Sequence, residues 1–141
     1  MHLGGGSVLS LPDVLAVFPE NGFVWILREF FGTGEAPGGI SMQEFEDRVR
    51  SAGDGLRMTL SELKNFGAHV EQAIDCEVVA IRATEEAVLP PGSDPAVAEI
   101  CAFDRTEWHV AVDDSVGEFQ TVLSSVQRIA ALWTDRRLFQ P

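Results

Sequence analysis

The chain has 141 residues, 45% of them hydrophobic and 23% charged, enough to close one hydrophobic core and far from the composition of chains that stay disordered. Its 22 acidic residues outnumber 10 basic ones, for a formal net charge of −12, which argues against direct binding to nucleic-acid phosphates or anionic membranes and leaves cations and basic proteins as partners. No apolar run approaches the roughly 20 residues of a membrane span, and two cysteines are too few for a secreted disulfide framework, so the expectation is a cytoplasmic protein with reduced thiols.

Residues 1–9, with Gly4-Gly5-Gly6-Ser7, read as a flexible leader or tag remnant, and residues 10–141 as a single α+β domain. Ser10 and Asp13 are placed to cap a first helix, with Pro12 in its first turn and Pro19 beyond its end. Phe23, Ile26, Leu27, Phe30 and Phe31 then recur at i, i+3, i+4, i+7 and i+8, with Asn21 as a cap and Gly32 as a stop. That spacing favours a helix over Gly22 to Phe31, the competing reading being a strand buried on both faces. In the helical reading Trp25 projects with Arg28 and Glu29, either partly exposed or packed under a loop. Gly32 to Gly39 follows as a loop.

Two further boxes, Ser41/Glu44 and Thr59/Glu62, open a helix through about Ala52 and another from about Leu60 to Ala73. Cys76 to Ala83 reads as the first strand, and Pro90-Pro91-Gly92-Ser93-Asp94-Pro95 as a stiff exposed loop. Ala98 to Asp104 and Glu107 to Val112 form an antiparallel hairpin across Arg105-Thr106. With Asp104 opposite Glu107, Phe103 faces Trp108 and Cys101 faces Val110, while Ala102 and His109 lie on the other side. A last box, Ser115/Glu118, opens a long helix whose apolar stripe runs from Val116 through Phe119, Val122 and Val126 to Trp133. The expected fold is therefore α+β with helices first, then a small antiparallel sheet of about three strands, covered by a long C-terminal helix.

No catalytic motif survives inspection. A P-loop needs lysine after its glycines, and the chain's one lysine is Lys64; the glycine pairs also open no βαβ unit. His-Glu-x-x-His, Cys-x-x-Cys and an Asp-rich calcium loop are all missing, so neither metal nor cofactor is expected. Glu107, His109 and Asp113 share strand parity and form the one constellation for an alternative reading, a small-ligand or metal-assisted enzyme. Cys101 and His109 fall on opposite faces in the hairpin register above, so they make no nucleophile and base pair. Both cysteines read as small core residues, a redox link between them having no support.

The acids are distributed unevenly. Between Glu71 and Glu118, twelve acidic residues face only Arg82 and Arg105, a local balance of −10, and a concentrated single-sign patch of this kind steers a partner of opposite charge. The expected contact set is Glu85, Glu86, Asp94, Asp104, Glu107, His109, Asp113 and Asp114, with Trp25 as an aromatic anchor. In general character, as a compact acidic α+β protein without a catalytic constellation, the chain resembles the small immunity proteins that bacteria make against their own toxins. That resemblance implies a stoichiometric inhibitor of a basic toxin or enzyme rather than an enzyme. A further alternative is a structural or scaffolding homodimer that buries Trp25 and the phenylalanines.

Overall fold

A computed structural model describes residues 2–3, 10–19, 22–82, 96–103, 107–113 and 116–128. The elements in chain order are β1 (His2–Leu3), α1 (Leu11–Leu15), β2 (Val24–Gly34), a 3-10 turn (Pro37–Gly39), α2 (Met42–Ser51), β3 (Leu56–Met58), α3 (Leu60–Ala68), β4 (Val70–Ile81), β5 (Ala96–Phe103), β6 (Glu107–Val112), a second 3-10 turn (Gly117–Phe119) and a helix α4 over residues 122–128. All strands join one antiparallel sheet in the order β1-β6-β5-β4-β2-β3, in which both outermost strands are short.

The α+β class holds, but the expected arrangement is overturned. Among the described residues helices do not come first, the sheet has six strands instead of about three, and the C-terminal helix occupies residues 122–128. The decisive segment is Gly22 to Phe31, which is extended. Leu27 and Phe30 face the helices although they are three residues apart, because the ladder to β4 is irregular at Arg28: Leu27 pairs with Val78, and Glu29 with Glu77. An extra residue in one strand shifts its alternation. Ile26 is buried on the opposite face against Val79 and Ile81. A bulge and a two-sided burial together counterfeit the i, i+3, i+4 spacing of a helix.

α1, α2 and α3 form where their caps predict. Ser10 and Asp13 exchange hydrogen bonds with each other's backbone amides, as do Thr59 and Glu62, and Ser41 accepts from the amide of Glu44. Two orphan donors are satisfied at each reciprocal box. α3 stops at Ala68 instead of Ala73 because Val70 already begins β4, whose predicted start at Cys76 is six residues late. The Ser115/Glu118 box does not open a long helix either; a 3-10 turn occupies Gly117–Phe119, and α4 starts at residue 122. The stripe itself is sound, since Val116, Phe119, Val122 and Val126 are all buried; Trp133 lies outside the described residues.

One layer of helices covers one face of the sheet. α1 (Leu11, Val14, Leu15), α2 (Phe45, Val49), α3 (Leu60, Leu63, Phe66) and α4 (Val122, Val126) all bury side chains in the same cluster as Leu27, Phe30, Cys76, Val78, Ile100, Trp108 and Val110 of the strands. α1 packs on α3 at Gly67, where a Cβ would come within 3.0 Å of Leu15 Cδ1. Two aromatic groups lie beneath: Phe18 edge-on to Trp25 and Phe119, with centroids 5.1 and 5.7 Å apart, and Phe30, Phe45 and Phe66 in mutual contact. α2 is tied to the sheet by a buried charge, Glu46, whose Oε2 accepts the amide of Gly32 at 2.9 Å.

Candidate functional site

The sheet face turned away from the helices is divided in character. At one end Ile26, Val79 and Ile81 are buried. At the other, Phe31 and Phe103 are 52% and 50% exposed, the large apolar side chains left to solvent among the described residues. Exposed singly they would need no account, but the register sets them on one line across the sheet. Phe31 pairs with Asp75; Cys76 pairs with Ala102, which puts Asp75 beside Phe103; and Phe103 pairs with Glu107. The next line inward runs Glu29, Glu77, Cys101 and His109. Two phenylalanines thus frame an acidic strip, and it is the irregularity at Arg28 that turns Glu29 and Phe31 outward.

A shallow cavity of about 310 Å³ opens between these lines, lined by Glu29, Asp75, Glu77, Glu99, Cys101 and Phe103. A second of about 260 Å³ adjoins it at Glu29 and extends past Phe31 to Glu46 and Arg50. Arg28 offsets part of the charge, with Nη1 3.7 Å from Glu77 Oε1. The Cys101 thiol donates to Glu99 Oε1 at 3.6 Å. Burial, reinforced by the charge and hydrogen bond of Glu99, pushes the Cys101 thiol up to about 12 from its ordinary 9.0. A thiol held neutral in this way is no nucleophile, although His109 is its direct cross-strand partner.

That partnership corrects the expected hairpin. Phe103 pairs with Glu107, Ala102 with Trp108 and Cys101 with His109, one residue away from the predicted register. A slip of one exchanges faces for every side chain on the strand. Cys101 and Phe103 therefore leave the core side, and Cys101 shares a face with His109. Cys76 belongs to the core cluster, whereas Cys101 pairs with Glu77 and shares its opposite face, so strand alternation turns the two side chains to opposite sides of the sheet, an arrangement that disfavours a disulfide between them.

Of the expected contact residues, Glu107 and His109 lie on the open face, adjacent to the strip on β6. Asp113 follows β6, its amide donating to Val97 O at 2.8 Å. At about 3.4 Å per residue it stands about 14 Å along the chain from His109, too far to share a metal or a proton with the Glu107/His109 pair. Among the described residues no three His, Cys, Asp or Glu side chains are grouped to hold a metal ion. Trp25 is fully buried beneath Phe18, so it has no surface to offer a partner, whether another protein or a second copy of the chain. Glu85, Glu86, Asp94, Asp104 and Asp114 lie outside the described residues.

Sequence reasoning missed Phe31, Glu29, Asp75 and Glu77 because it assigned their segments to a helix or gave them no face, and Phe103 because of the register slip. The usable signal was the alternation Asp75/Glu77 against Cys76/Val78 and Glu99/Cys101/Phe103 against Ile100/Ala102. β1, the pairing of His2 with His109 and Leu3 with Trp108, falls in the segment read as a leader. No helix among the described residues is long and apolar enough to cross a membrane. Comparison of the chain with protein-family models, with curated proteins and with solved structures finds no match in any of the three.

Proposed function

We propose that the chain is a binding module for a basic protein, acting as a stoichiometric inhibitor of the kind that covers a basic toxin or enzyme. The observation that supports this reading is the open end of the sheet, where exposed Phe31 and Phe103 frame Glu29, Asp75, Glu77 and Glu99. Aromatic anchors supply contact area at small entropic cost, and the surrounding carboxylates supply long-range attraction and orientation. The site departs from the expected contact set: Glu107 and His109 remain at its margin, whereas its centre moves to β2, β4 and β5. The remaining acids of the Glu71 to Glu118 segment add to the field that a basic partner meets on approach.

The test is to mix the full chain with basic nucleases and other basic proteins at about 50 and 500 mM salt and to follow association. The expected result is a one-to-one complex whose association rate falls by about tenfold or more between the two conditions, since steering is screened beyond a Debye length. Association that is absent, or equally fast at both salts, refutes the reading.

A further inference from the structure

Resting on the reading just given, we infer that the partner engages this face through an arginine, its guanidinium seated in the acidic cavity lined by Phe103, with Phe31 flanking the adjoining cavity across Glu29. Three observations converge on that residue type. The first is spacing. Phe31 on β2 and Phe103 on β5 flank β4, so their backbones stand two strand separations apart, about 9.6 Å, and a planar group seated over β4 against Phe103 lies one strand from Phe31 on the same face. The second is charge. The floor and wall of the cavity carry Glu29, Asp75, Glu77 and Glu99, and Arg28 reaches one of them, Glu77.

The third is that the cation seen to meet this strip is itself a guanidinium. Arg28 reaches Glu77 Oε1 at 3.7 Å from the neighbouring strand, so the acidic strip already meets an arginine head group from its edge. A lysine satisfies the charge but not the shape: its ammonium is compact and strongly hydrated, whereas a guanidinium is flat, weakly hydrated, able to stack on a phenyl ring and to present paired N–H donors to carboxylates. The roughly 310 Å³ cavity accommodates one such head group with its stem laid along Phe103.

The experiment titrates the isotope-labelled full chain, at low salt, with a capped Arg-Val-Arg-Val-Arg peptide and with its lysine and citrulline counterparts. It is then repeated on the F31A/F103A and E29Q/E77Q double variants, whose folding is checked by thermal melting. The arginine peptide is expected to bind about fivefold to tenfold more tightly than the lysine peptide, and the citrulline peptide not measurably, with amide shifts centred on β2, β4 and β5. F31A/F103A removes the preference for arginine and leaves the lysine peptide within about twofold; E29Q/E77Q weakens both. Equal binding of arginine and lysine peptides, shifts centred elsewhere, or an unchanged preference in F31A/F103A overturns the inference. So do shifts at these residues that grow with protein concentration alone, which assign the face to a second copy of the chain. A basic protein that binds wild type and F31A/F103A alike, with the same salt sensitivity, leaves the inhibitor reading standing and removes the arginine seat; failure of every basic protein removes the inhibitor reading.

Discussion

Raising the pH from 8 to 10.5 should destabilise this protein through its two thiols. Cys76 is wholly buried in the core, and burial, with the nearby Cys101, Glu29 and Glu77 adding to it, holds its thiol far above the ordinary 9.0. Cys101 is displaced the same way. An acid whose folded value is raised is neutral in both states below pH 9, so it contributes nothing there. Above pH 9 the unfolded chain ionises while the folded chain does not, and stability falls by about 1.4 kcal/mol per pH unit for each thiol. At pH 10.5 the loss from Cys76 alone is about 2 kcal/mol, a large share of the 5–15 kcal/mol that holds a domain of this size together.

The composition makes the window unusually quiet. The chain has no tyrosine and a single lysine, so few side chains other than the thiols compete in that window. Urea unfolding under reducing conditions, followed by the fluorescence of buried Trp25 and Trp108, should give midpoints for wild type that fall steadily between pH 9 and 10.5. Cys76→Ala should lose about half of that slope and Cys76→Ala/Cys101→Ala most of it. Parallel curves for wild type and the double variant would refute the argument, because they would mean that the thiols ionise equally well folded and unfolded.

Other consequences can be checked on the same preparation. Trp25→Ala, which empties a fully buried site beside Phe18, should cost about 3–5 kcal/mol in urea unfolding, whereas an exposed anchor would cost under 1. Glu46→Ala should cost about 1–3 kcal/mol by stranding the Gly32 amide, and Glu46→Gln markedly less, since its carbonyl still accepts. Thr59→Ala should remove about 1 kcal/mol through the lost cap of α3. Mild oxidation of the folded protein with diamide, read by mass, should leave the chain without the two-hydrogen loss of an internal disulfide; a Cys76–Cys101 bridge would contradict the opposed orientation of the two side chains.

What could be read in advance was whatever depends on neighbours in sequence. The helix starts at Ser10, Ser41 and Thr59 are legible because a cap is settled by residues three apart. The existence of β5 and β6 is legible for the same reason, both being short alternating runs near a turn. Register is not local: whether Phe103 meets Trp108 or Glu107 depends on how the whole ladder seats on the core, and an error of one residue concealed half of the candidate site. β2 failed for a different cause. Its apolar residues are demanded by two separate clusters, and the bulge at Arg28 breaks the alternation that would have exposed it as a strand. The charge count pointed to an acidic surface, yet Glu29 lies upstream of the segment to which the acidity was assigned, and only strand order brings it beside Glu77 and Glu99.

The strand order also has a consequence in time. β4, β5 and β6 are successive neighbours, and their hairpin seam joins residues such as 101 and 109, whereas the ten-pair seam between β2 and β4 joins residues such as 25 and 80. Closing the longer loop must precede any of the contacts that reward it. The protein should therefore fold over milliseconds to seconds rather than microseconds, with β2 docking after the β4–β5–β6 hairpins. Because Phe31 and Glu29 ride on β2, the acidic strip is complete only once β2 has docked on β4, and a folding intermediate that already displays Phe103 would not yet present the paired surface.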